Sequence, residues 1–191
     1  SSLVNLGTLI LQTGINTLGT SVIVAHTAAR KVFEIWGLPV TVLGATMATY
    51  SGQNYGAGKY DRITSGLKAA VMVMIMAYTI STCLVGFIAS TQNAEILYWG
   101  TTYLRVDMLF EMVCVWIVIL RNTMQGVGDY KTPIFSSFLE LACKIVFTAV
   151  FVRYFGYWGV IWTEPVTWII MVIPLIVMLK KNPVFHQKKT A

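Results

Sequence analysis

Apolar runs of roughly the length that crosses a membrane alternate with short polar connections along the whole chain. A bilayer core about 30 Å thick takes roughly 20 apolar residues at a helical rise. Six spans fit, at about 3–25, 33–51, 66–89, 97–120, 133–152 and 157–179. The pattern predicts an all-α polytopic membrane protein. The connections are short, which predicts antiparallel packing of neighbours. The run Gly126-Val127-Gly128-Asp129 with Pro133 is a strong stop-and-turn signal. There is no internal repeat.

Polar positions inside these spans carry the candidate chemistry. The fourth span holds Arg105, Asp107 and Glu111. A charge near the bilayer centre costs about 3 kcal/mol on insertion scales, so it faces a bundle interior or a water path. Asp107 and Glu111, four apart, share one helical face, and Arg105 projects from another. Snorkelling to the helix end is the bland alternative, strongest for Arg105. The first span carries a polar stripe, Asn5, Thr8, Gln12, Asn16 and Thr20, read either as helix–helix hydrogen bonding or as a cavity wall. The wall is the favoured reading for Gln12 and Asn16. In the fifth span Glu140 and Lys144 stand four apart, acid first. They either neutralise each other or present Glu140 to the acids of the fourth span. Glu164, before Pro165, is expected near the outer edge and wet. Met72, Met74 and Met76 wrap around their helix and read as lipid-facing or gap-filling.

Composition sharpens this picture. Of 191 residues 56% are hydrophobic and 12% charged, half the charge of an ordinary soluble domain at about 25%. The net charge of +6 forms no basic stripe among aromatics, so no nucleic-acid partner is expected. Lys59, Arg62, Lys68, Arg121, Lys131, Lys180, Lys181, Lys188 and Lys189 fall on one side of the six-span topology. Arg30, Lys31 and Arg153 fall on the other. Nine against three puts both termini and the basic tail 180–191 in the cytoplasm. Cys83, Cys114 and Cys143 lie in apolar spans without CxxC spacing, and His26 and His186 are far apart, so no metal site is expected. Gly52 to Lys59 fails as a phosphate loop, since Ala57 and Tyr60 replace the required Gly and Ser/Thr. No enzyme chemistry is found. The chain starts without Met or a charged leader and is read as a fragment.

Several stretches together resemble multidrug and toxic compound extrusion (MATE) transporters. Gln53-Asn54-Tyr55-Gly56-Ala57-Gly58-Lys59-Tyr60-Asp61-Arg62-Ile63 is similar to a cytoplasmic loop of that family. Leu11-Gln12-Thr13-Gly14-Ile15-Asn16, with Ala25-His26-Thr27-Ala28-Ala29, resembles the opening helix of its second half. Met124 to Pro133 resembles the loop after its tenth helix, and Glu140 and Pro165-Val166-Thr167-Trp168 fit its last two helices. The resemblance implies twelve helices in two six-helix lobes, with this chain as the C-terminal lobe and an N-terminal lobe as its partner. It implies an integral protein of the plasma (inner) membrane that exports organic cations and drugs in exchange for Na⁺ or H⁺, with no cofactor. Sodium-coupled relatives often place Glu where Gln12 stands and an acid near Cys114. The site expected here is therefore Glu111, then Asp107, with Gln12, Asn16 and Glu140. A carboxylate moved from water into apolar surroundings holds its proton more tightly, which suits exchange. Two alternatives stay open: a flippase for lipid-linked oligosaccharides, whose cavity should be basic, and a membrane module with no transport role.

Overall fold

The computed structural model describes residues 2–85 and 94–185. Among them the chain is helical throughout, with no strand. Helix α1 covers Ser2–Ile15, α2 Thr20–Gly56, α3 Tyr60–Val85 and α4 Ala94–Gly126. Helix α5, Lys131–Phe147, passes through a π-helical turn, Thr148–Val152, into the short α6, Arg153–Phe155. Helix α7 covers Tyr157–Lys181, and a 3-10 turn, Pro183–Phe185, follows. The segments Lys131–Phe155 and Tyr157–Lys181 are each long and apolar enough to cross a membrane. The two arms of α2, Thr20–Ile35 and Gly37–Gly56, qualify together as one bent span. The bend falls beside Pro39, which lacks the N–H that would bond back to Ile35. The end of the expected third span, 86–89, and the tail from 186 lie outside the described residues.

The structure divides the expected first span. Helix α1 stops at Ile15, and a turn through Asn16 to Gly19 follows, with Gly19 at φ 99°. The Thr17 hydroxyl donates to the Gly14 carbonyl at 2.7 Å and helps close that end. Helix α2 then runs unbroken across residues 26–32, which were expected as a connection. The polar stripe at helical spacing hid the break: Gly19 supplies a backbone conformation that L side chains avoid, whereas Ala25 to Ile35 contains no Gly or Pro to stop a helix. Arg30 and Lys31 are therefore helical residues and not part of a loop.

The expected turns are present. Helix α2 ends at Gly56 and α4 at Gly126, and Gly58 (φ 67°) and Gly128 (φ 84°) reverse the chain. Asp129 caps the next helix by accepting from the Thr132 N–H at 3.1 Å and the Thr132 hydroxyl at 2.8 Å. At the opposite end of the bundle, Trp99 packs edge-on against Tyr98, Tyr157 and Trp158.

Sequential neighbours touch from α2 to α5, but α1 packs on α5 rather than on α2, and the most extensive helix pair is α2 with α4, two apart in sequence and parallel. His26 meets Tyr103, Gly44 lies under Val118 and Asn122, and Gly52 lies against Gly126. Small residues let these backbones approach, as in other membrane helix pairs. A Cβ on Gly126 would stand 2.3 Å from the Ala48 carbonyl oxygen and 2.9 Å from Ser51 Cβ. Gly126→Ala in the full-length protein should therefore cost about 1–3 kcal/mol of stability, read as a lower melting temperature in detergent. An unchanged melting temperature would contradict this packing. Helix α1 packs on α5, and α7 closes the bundle against α4 and α5.

Candidate functional site

Three acids and three bases form a chain of ion pairs that starts at the exposed Glu34 and runs into the bundle. Glu164 on α7 accepts Lys144 Nζ of α5 at 3.1 Å. The same ammonium donates to Glu140 at 3.1 Å. Glu140 in turn accepts Arg121 of α4 at 3.2 Å, and Arg121 also donates to the Ser137 hydroxyl. On its other side Glu164 faces Arg30 of α2 at 4.0 Å, and Arg30 lies 3.8 Å from Glu34. The signs alternate from Glu34 to Arg121, so each charge faces an opposite one that offsets part of its desolvation cost. Lys144 is 2% exposed and Glu164 4% exposed.

Helical spacing explains how the remaining groups arrive. His26, Arg30 and Glu34 repeat every four residues on α2, and Tyr103, Asp107 and Glu111 do the same on α4. Parallel packing brings the two rows together. His26 and Tyr103 rings lie 4.9 Å apart, and His26 Nδ1 shares a hydrogen bond with the Tyr157 hydroxyl at 3.2 Å. A cavity of about 250 Å³ opens beside these rows. Its wall includes Thr8, Gln12, Thr27, Arg30, Lys31, Glu34, Tyr103 and Glu164.

The expected site residues separate into three groups. Gln12 lines the cavity and donates its amide to Asn16 Oδ1 at 3.0 Å, with Asn16 in the turn after α1. Asp107 and Glu111 are buried on one face of α4, at 0% and 4% exposure, whereas Arg105 points outward. The Tyr103 phenol is the close polar neighbour of Asp107. Neither Asp107 oxygen has the geometry of a formed hydrogen bond, and neither does Glu111 Oε2. None of the described ion pairs reaches Glu111. Glu140 is engaged by Lys144 and Arg121, so it meets a base of α4 and not the acids.

Sequence reasoning missed Glu164, Arg30 and Arg121. Glu164 sits two turns into α7, buried rather than wet. Its signal was Lys144, a second buried base whose only foreseen partner was one acid. Arg30 was missed because α2 was not read as continuous. Among the described residues, no group of three or more His, Cys, Asp or Glu side chains is placed to hold a metal ion.

Comparison with known proteins adds the family. The MatE family model matches residues 1–150. No curated protein matches. An outward-facing multidrug resistance MATE family transporter of the MOP superfamily is similar in fold, with TM-score 0.84 and 17% identity, over 93% of this chain and 41% of its own. A MOP superfamily transporter from Pyrococcus furiosus Vc1, described by the reverse polarity of its binding pocket, is similar over the same shares with the same TM-score and identity. A MATE structure in the straight conformation is 18% identical at TM-score 0.84, over 93% of this chain and 41% of its own. The chain thus spans about two fifths of the length of the structures it matches. These matches establish the fold, and the sequence model establishes the family. With that match over residues 1–150 of 191 and the transporter fold over nearly all of its length, the chain belongs to the MatE family.

Proposed function

We propose that the whole protein is an antiporter that exports organic cations or drugs in exchange for H⁺ or Na⁺. In this reading the chain supplies the C-terminal lobe, and an N-terminal lobe completes the cavity. The observation that carries it is Glu111, a buried acid of α4 with no ion-pair partner among the described residues. Such a group has to be neutralised by a proton or a cation, and exchanging one for the other is the chemistry of coupling. Asp107 supports it from the adjacent turn, and Gln12 forms polar wall, with Asn16 accepting its amide. Glu140 is satisfied by its two bases and serves to hold the lobe together. One charge moved across the membrane is worth about 2.3 kcal/mol per 100 mV, enough to drive export if the two lobes rock about a shared site.

A head-group flippase would need a cavity dominated by bases. Here Arg30 and Lys31 are answered by Glu34 and Glu164 on the same wall, which favours the cation reading. Export of a cationic dye from proteoliposomes of the full-length protein, under imposed proton and sodium gradients, tests it. Efflux that ignores both gradients, or no efflux at all, would reject it.

Orientation belongs to the same proposal, in a plasma membrane with both termini cytoplasmic. Cysteines placed at Lys59 and Lys131 should react only with reagents delivered from the cytoplasm, and one at Tyr154 only from outside. External labelling at position 59 in intact cells would invert the topology.

A further inference from the structure

Of the buried acids Asp107, Glu111, Glu140 and Glu164, only Glu164 lines the cavity. Two bases attend it, and they are held differently. Lys144 lies on the inner side at 3.1 Å and is locked a second time by Glu140. Arg30 lies on the cavity side at 4.0 Å, with its side chain 27% exposed. That distance exceeds hydrogen-bond range of about 2.7–3.2 Å, so Arg30 is a charge neighbour and not a bonded partner. Both bases approach the same oxygen, Oε1. Lys144 cannot leave without breaking two short ion pairs, whereas Arg30 gives up one longer contact and keeps Glu34 within 3.8 Å.

Among the other polar groups of the cavity, Lys31 and Gln12 carry N–H donors, and the two threonines offer acceptors. The Thr8 and Thr27 hydroxyls spend their protons on the Val4 and Ile23 carbonyls, at 3.2 and 2.8 Å. The charged acceptors of the cavity are the carboxylates of Glu164 and Glu34, and a cation that bonds them must bring N–H groups of its own. Arg30 does this already, as a planar cation carrying five N–H donors.

We propose that Glu164 is the cation-receiving group of this cavity and that Arg30 is its tethered counter-cation, displaced by a planar N–H cation of the amidinium or guanidinium class. The inference rests on the antiport reading for its physiological sense, but concerns binding. An arriving amidinium takes the Glu164 carboxylate, Arg30 swings to Glu34, and Lys144 keeps the inner side neutral. When the ligand leaves, Arg30 returns, so the empty cavity is never left with a bare buried acid. Arg30 is a specificity-determining residue in this scheme: it sets the charge and shape that a competitor must match.

Equilibrium binding of the fluorescent diamidine DAPI to the full-length protein in detergent tests this. Arg30→Gln removes the competitor and should tighten binding about five-fold, the scale of one partly exposed ion pair. Glu164→Gln should weaken it about ten-fold or more, as loss of a buried charged partner does. In the double variant Arg30→Gln should no longer tighten binding, because its effect runs through Glu164. Glu164→Asp, which keeps the charge, should retain most of the affinity and guards against a misfolded Glu164→Gln. Tetraphenylphosphonium, a cation without N–H groups, should bind more weakly than DAPI and respond less to Arg30→Gln. Weaker or unchanged DAPI binding by Arg30→Gln, or equal tightening with and without Glu164, overturns the inference. The antiport reading fails separately, by absence of gradient-driven efflux in the parental protein. A parental protein that neither binds DAPI nor exports dye contradicts both.

Discussion

Lys144→Met should destabilise the full-length protein by about 3–5 kcal/mol, the largest loss expected from any single exchange among its buried charges, because breaking a buried pair strands the surviving partner. Lys144 is 2% exposed and bridges Glu140 and Glu164, each at 3.1 Å. Its stem fills the space left by Gly7 of α1, where a Cβ would stand 2.8 Å from Lys144 Cδ. Met refills most of that volume, so the loss isolates the charge. After the exchange Glu140 keeps Arg121, but Glu164 keeps only the longer contact to Arg30. Adding Glu164→Gln removes the stranded acid and leaves two balanced pairs, Glu140 with Arg121 and Arg30 with Glu34. The double variant should therefore recover more than half of the loss, a coupling readable in a double-mutant cycle. Melting of the purified variants in detergent measures it. If Lys144→Met and the double variant melt alike, Lys144 does not bridge the two acids.

That bridge shows how far the sequence could be read. The acid-first spacing of Glu140 and Lys144 was legible because i, i+4 pairs are fixed by one helix. Asp107 and Glu111 were legible on one face for the same reason, and both are buried there. The turns at Gly58 and Gly128 were legible because a positive φ has few tenants. What failed depended on where one helix ends and which helix lies beside it. The break at Asn16 to Gly19 coincides with a polar run, Asn16, Thr17, Gly19, Thr20 and Ser21, whose Asn16 and Thr20 fit the helical spacing of a polar stripe and so read as one face of a continuous helix. Missing it placed Arg30 in a connection and hid the row His26, Arg30, Glu34. The parallel pairing of α2 with α4 sets that row against Tyr103, Asp107 and Glu111, and no local pattern encodes such a pairing. Glu164 was misplaced because depth was judged from an expected span edge and not from its partners.

Glu111→Gln should leave the full-length protein folded and inserted but remove the dependence of export on an ion gradient. The carboxamide is nearly isosteric and carries no charge to desolvate, so folding gains slightly or stays level. What is lost is the ability to take up and release a proton or a cation. Asp107→Asn should do less. Asp107 has one countercharge, Arg30, and the Tyr103 phenol in its surroundings, beside the acids Glu164 and Glu111, whereas none of the described ion pairs reaches Glu111. The most direct measurement is cationic dye efflux from proteoliposomes holding equal amounts of parental or Glu111→Gln protein, under a proton gradient, a sodium gradient, or neither. The account predicts that the parental protein is driven by at least one gradient and that Glu111→Gln exports no faster with a gradient than without. Parental efflux and parental gradient dependence in Glu111→Gln would show that Glu111 is a packed side chain and would contradict the account.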